Sequence, residues 1–208
     1  MRAKEGGRRG STAARPALRM ATPTAHDECV TPRPMLFLMV GLPGAGKTTR
    51  ARDIEHHDRA LRLTPDEWMI PLFGDSDAAG KRDVLEGRLI WVALRVLSAG
   101  ANVVLDFGFW GRDERSALRS LAHSVGADCT VIYLAVDEVI QHQRISERYD
   151  KTAEHTFVVT AAELALYRTQ FEVPDDREIA GASTDPPPAD WASWSAWASD
   201  RWPSLPLV

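Results

Sequence analysis

The stretch MLFLMVGLPGAGKTT, Met35 to Thr49, places the strongest limit on what this chain can fold into. Six apolar residues run directly into G-x-x-x-x-G-K-[ST], with Gly41, Gly46, Lys47 and Thr48 at the full spacing. A buried strand must therefore turn sharply into a helix. The glycines let successive backbone N–H groups and the helix N-terminus face phosphate oxygens. The loop Gly41, Leu42, Pro43, Gly44, Ala45, Gly46, Lys47, Thr48 and Thr49 is read as the ATP-binding segment. Lys47 is spaced to reach the β- and γ-phosphates, and the Thr48 hydroxyl to join a Mg²⁺ shell. A glycine turn that only connects strand to helix would need neither lysine nor threonine.

From Met35 onward, short apolar strands alternate with helical segments, the pattern of a parallel sheet covered by helices. Further strands are expected at ALRLT (Ala60 to Thr64), NVVLD (Asn102 to Asp106) and CTVIYLAV (Cys129 to Val136). The last two have the continuous β-branched character of strands buried on both faces. Helices are expected after Lys47, over Lys81 to Ser98, from about Asp113 to Gly126, and through DEVIQHQRISERY. TAAE at Thr160 to Glu163 reads as a capping box that opens another helix toward Phe171. Trp191, Trp194 and Trp197 follow a proline linker at spacing three, as one stripe of a C-terminal helix that packs on the core or makes a dimer contact. Three regions result: a disordered Arg/Pro-rich tail over 1–34, a catalytic domain over 35–183, and a linker with a Trp-rich helix over 184–208.

With 208 residues, 44% of them hydrophobic, the chain suffices for one packed domain with appendages. Seven Lys/Arg and three Asp/Glu fall in residues 1–34, which leaves the remainder at a net charge of −8. That balance speaks against a general nucleic-acid binder. Cys29 and Cys129 give no disulfide framework, the histidines lack ligand spacing, and no apolar run approaches a membrane span. A cytoplasmic protein, monomer or homodimer, is expected.

The loop leaves the phosphate acceptor open. NTPases that use water often follow an apolar strand ending in Asp with a Glu that orients the nucleophile. Here Asp106 ends VVLD as a second candidate Mg²⁺ ligand, but Phe107 follows it. LTPDEWM instead places Asp66 just past the second strand, where ligands bind in open α/β sheets. Asp66 is a candidate base for a hydroxyl acceptor; it would equally serve as a helix cap. In QHQRISER, Arg144 and Arg148 stand four apart on one helix face, as a phosphate clamp or as a solvated basic face. Phe107, Phe109 and Trp110, with Trp68 near Asp66, either stack on an acceptor or pack internally.

GLPGAGKTT, LTPDEWM, VVLDFGFWGRDER, QRISER and FEVPDDRE together resemble the P-loop kinases of the nucleoside-monophosphate-kinase-like fold. The likeness is greatest to the small kinases of the polynucleotide-kinase, chloramphenicol-phosphotransferase and zeta-toxin branch, and runs from about Met35 to Glu178. It implies a three-layer α/β fold with a five-stranded parallel sheet in the order 2-3-1-4-5, its last strand near Ile179 to Ser183, and a helical lid. By the same likeness Asp66 matches the general base, Lys47 and Thr48 the triphosphate and Mg²⁺ contacts, and Arg144 and Arg148 the lid arginines. Arg112 and Arg115 match polar residues near the acceptor. Tyr149 and Asp150 depart from the basic or Asn residues with which polynucleotide kinases continue the lid. An ATP- and Mg²⁺-dependent transfer to a small-molecule hydroxyl, of an antibiotic, nucleoside or sugar nucleotide, is the expectation. The alternatives are a 5′-hydroxyl nucleic-acid kinase and an ATP-binding regulatory protein with little turnover.

Overall fold

Strands β1 (Met35–Val40), β2 (Leu61–Leu63), β3 (Val103–Gly108) and β4 (Asp128–Tyr133) form one parallel sheet in the order β2-β3-β1-β4. The computed structural model describes residues 32–75, 78–152, 160–182 and 185–206, with the side chains of 148–152 left aside. Among these, the helices are α1 (Lys47–His57), α2 (Asp66–Phe73), α3 (Lys81–Ser98), α4 (Arg112–Ser124), α5 (Glu138–Thr152), α6 (Ala161–Gln170), α7 (Asp176–Ile179) and α8 (Trp194–Arg201). In β1, Leu36 sits beside Val103 and Cys129, and Leu38 beside Leu105 and Val131. Both faces of β1 are buried, and alternation divides its side chains between two apolar clusters. Leu36, Leu38 and Val40 join Leu89, Ile90, Leu118 and Leu121 from α3 and α4. Met39 and Val104 meet Ala51 and Ile54 of α1 on the other side.

The expected fifth strand is absent among the described residues. Its first residue, Ile179, ends the short helix α7 instead, which Asp175 caps by accepting from the Glu178 N–H at 2.9 Å. Gly181 then turns the chain with φ 75°. Arg119 donates to the carbonyls of Glu178 (2.7 Å) and Ala182 (2.8 Å), oxygens that a strand ladder would need. The end of that expected strand, at 183, lies outside the described residues.

The capping box at Thr160 and Glu163 is formed. The tryptophan pattern differs from the expected stripe. Trp191 precedes α8 in a turn, its N–H donating to the Pro188 carbonyl. Trp194 and Trp197 lie on α8, and the third member of the cluster is the fully buried Trp202. Spacing three suits a helix, yet the proline-rich approach to Trp191 delays helix initiation until Ser193 supplies the cap. The segment after α8 lies directly on α3. A Cβ built on Gly87 would stand 3.0 Å from the Leu205 backbone nitrogen and 2.5 Å from Ser204 Oγ. Gly87→Ala is accordingly expected to destabilise the fold by about 1–3 kcal/mol despite its better helix propensity, read as a lower urea midpoint.

Candidate active site

The carboxyl ends of β1, β2 and β3 bring the candidate residues together. After β1, the Gly41 N–H donates to the Gly108 carbonyl at 3.4 Å, and a Cβ on Gly41 would fall 2.7 Å from the Leu134 carbonyl oxygen. Gly46 adopts φ 96° and directly precedes α1. The loop thus has the backbone cradle and helix N-terminus that a polyphosphate requires. Lys47 bends back over the loop, its Nζ donating to the Leu42 carbonyl at 3.1 Å. On the opposite side, Gly108 leaves room for that lysine: a Cβ there would lie 3.6 Å from Lys47 Cε and 3.4 Å from the Trp110 indole nitrogen.

Asp106 is buried near the carboxyl end of β3, with the Thr48 hydroxyl beside it. Burial pushes its carboxyl above the usual carboxylate range, although the Thr48 hydrogen bond and the charges of Lys47 and Arg62 pull the other way. Asp66 adds to the upward push, which places the two acids within electrostatic reach of each other. Among the described residues no group of three His, Cys, Asp or Glu side chains is arranged as a metal site. A Mg²⁺ held here would take Thr48 and Asp106 oxygens, and phosphate and water for the rest, as that ion commonly does.

Asp66 is the first residue of α2, one position past the Pro65 cap, and is 61% exposed. Its Oδ1 accepts from Arg82 of α3 at 3.0 Å. Arg62, in β2, links the acids beneath it: 7% exposed, it pairs with Asp106 (3.5 Å), Glu55 (3.4 Å) and Glu67. A charged residue inside the short LRL strand was the signal for this counterion, and strand reading alone passed over it.

On the β4 side, α5 lies against the loop. Arg144 donates to the Gly44 carbonyl at 3.3 Å, whereas the Arg148 side chain lies outside the described ones. The fully buried Gln141 donates to the Pro43 carbonyl at 2.7 Å and accepts from Arg168 of α6. Neither Gln141 nor Arg168 stood out in the sequence. Beside them is a cavity of about 160 Å³ lined by Leu42, Tyr133, Val136, Arg168, Phe171 and Val173.

The candidate acceptor residues divide. Trp68 is 46% exposed on α2. Trp110 lies against Gly108, as Lys47 does, and packs its ring 4.8 Å from that of Tyr167. Phe109 is buried, stacked on Phe107 at 5.1 Å with φ 30°, and belongs to the core. Arg115 is 2% exposed and is no acceptor contact: it makes a two-pronged pair with Glu178 (2.8 and 3.1 Å) and donates to the Phe109 and Trp110 carbonyls. Arg112 pairs with Asp175 (3.0 Å) and Asp185 (2.9 Å), tying α4 to the segments around α7.

A family model described as an AAA domain, AAA_33, matches residues 36–174. The chain belongs to that family. The fold of this AAA_33 member is shared with P-loop kinases. A kinase candidate from Chloroflexus aurantiacus j-10-fl is similar at 21% identity, covering 68% of this chain and 79% of that one with a TM-score of 0.56. Chaetomium thermophilum Kti12 in complex with ADP-AlF3 is similar at 18% identity, over 82% and 99% of the two chains, with a TM-score of 0.55. The Mycobacterium tuberculosis APS kinase CysC in complex with AMPPNP and APS gives 18%, 70%, 86% and 0.52 in the same order. These likenesses show the P-loop kinase fold of the nucleoside-monophosphate-kinase type. None of the curated proteins matches the sequence. No described helix is long and apolar enough to cross a membrane.

Proposed function

We propose that the protein is an ATP- and Mg²⁺-dependent phosphotransferase that moves the γ-phosphate to a hydroxyl of a small molecule, of the antibiotic, nucleoside or sugar-nucleotide kind. The observation that carries this reading is the combination of a buried acid, Asp106, beside the Lys47–Thr48 loop with a second, exposed acid, Asp66, held by Arg82 just past β2. Phe107, in the position after Asp106, has no group to orient water. The nucleotide complexes of Kti12 and APS kinase support ATP as the ligand.

When bound, the Mg²⁺ nucleotide supplies an electrophilic phosphorus with its negative charge partly neutralised. The chain does the rest. Loop N–H groups and Lys47 hold the β- and γ-phosphates, and Thr48 and Asp106 hold the cation. The cavity bounded by Leu42, Tyr133, Phe171 and Arg168 takes the base, with apolar walls and one cationic edge. Asp66 accepts the proton as the acceptor oxygen bonds to phosphorus and the bond to the bridging oxygen of the departing diphosphate breaks. Arg144 and Arg148 stabilise the charge in flight and exclude water. Trp68 and Trp110 offer ring faces to the acceptor, and the net charge of −8 over residues 35–208 disfavours a polyanionic strand.

The test is incubation of the purified chain with γ-labelled ATP and a panel of nucleosides, sugars, hydroxylated antibiotics and 5′-hydroxyl oligonucleotides. Label on a small alcohol is expected. Label on the oligonucleotides alone would replace this acceptor class with nucleic acid. ATP binding without label on any member would favour a regulatory ATP-binding protein.

A further inference from the structure

Glu86 lies in the second turn of α3 and is 7% exposed, where an unpartnered carboxylate would be costly. Both of its oxygens are engaged. Oε1 accepts from Arg82 Nε at 3.0 Å, and Oε2 from the indole N–H of the fully buried Trp202 at 3.2 Å. The other edge of the same Arg82 guanidinium donates to Asp66 at 3.0 Å. One rigid fork therefore spans a buried acid, anchored by the segment after α8, and the exposed acid past β2. Arginine suits this bridge because its planar donors are preorganised in two directions, which a lysine ammonium is not. An exposed Asp66 without that restraint would be free to sample several rotamers, and small displacements of a reacting group lower rates steeply.

We propose that Glu86 and Trp202 are positioning residues for phosphate transfer, fixing Arg82 so that it orients the Asp66 carboxylate toward the acceptor. This rests on the reading of Asp66 as the base. The C-terminal segment is then part of the reaction machinery as well as of the packing. Glu86 faces Arg82 on its own helix, Arg201 from α8, Glu114 from α4 and the Trp202 N–H. Burial, above all, pushes its carboxyl up to about 6; Arg82 and Arg201 pull it down and Glu114 adds a further upward push. The charge that holds Arg82 is thus present at neutral pH and lost as pH falls through about 6.

The experiment uses the full chain, γ-labelled ATP and the alcohol labelled best in the panel, with melting temperatures as the check on folding. Near neutral pH, Glu86→Gln should lower kcat about tenfold while the KM for ATP stays within about twofold. Trp202→Phe, which keeps ring bulk without the N–H, should lower kcat in the same sense by less. By about pH 5 the deficit of Glu86→Gln relative to the intact protein should close, because both then carry a neutral group at 86. In an Asp66→Asn background, Glu86→Gln should cost nothing more, since residues acting through one another are not additive. If Asp66→Asn cuts transfer but Glu86→Gln is as fast as the intact protein, or its loss simply adds, the relay is overturned and the base assignment stands. If Asp66→Asn transfers at full rate, the base assignment fails and the relay falls with it.

Discussion

Asp66→Asn is expected to preserve ATP binding and to cut phosphate transfer by about a hundredfold or more. The substitution keeps size and hydrogen-bonding capacity, and Arg82 at 3.0 Å retains an oxygen to donate to. What is lost is the capacity to take a proton. Basal ATP hydrolysis should fall much less, because the same reading gives Asp66 no duty toward water. Both rates, measured in one preparation, separate the possibilities. Transfer that survives while hydrolysis collapses would make Asp66 a water-activating acid and the protein an NTPase.

Lys47→Ala should remove most triphosphate affinity or turnover, by about a hundredfold, with the fold intact. The lysine contacts the Leu42 carbonyl from within a loop whose shape is set by Gly41, Gly44 and Gly46, so the cradle does not depend on its side chain. Its charge also reaches Asp106 and helps keep that carboxyl ionised. Calorimetric titration with a non-hydrolysable ATP analogue, beside a thermal melt, decides the point: unchanged affinity and unchanged turnover in a folded variant would remove the nucleotide assignment.

Much of this architecture is legible in local chemistry. A continuous apolar run can be satisfied only between two covered faces, and the spacing from Gly41 to Thr48 permits one kind of turn, so β1, the loop and the start of α1 are written into a fifteen-residue stretch. Thr160 and Glu163 announce α6 because a capping box is a four-residue device. Asp66 and Asp106 are found by their place after apolar strands, since parallel sheets gather such ends at one edge.

The remainder depends on partners distant in sequence. Residues 179–182 end a helix and turn rather than run as a strand because Arg119, about sixty positions earlier, captures the Glu178 and Ala182 carbonyls, and Arg115 captures the Glu178 carboxylate. Those same bonds withdraw Arg115 from the site that its proximity to Asp106 implies. Arg62 reads as an anomaly in a short strand until Asp106, Glu55 and Glu67 surround it. Glu86 reads as one polar position on an amphipathic helix until Trp202, 116 residues later, comes to rest against it. The sequence by itself determined where the glycine loop turns into α1 and which acids stand nearby, because those depend on steric and hydrogen-bond rules spanning a few residues. Only the tertiary structure decided which charges face the site and which are neutralised inside it, because a buried charge is tolerated where a partner meets it, and such partners are brought together by the packing of elements far apart in the chain.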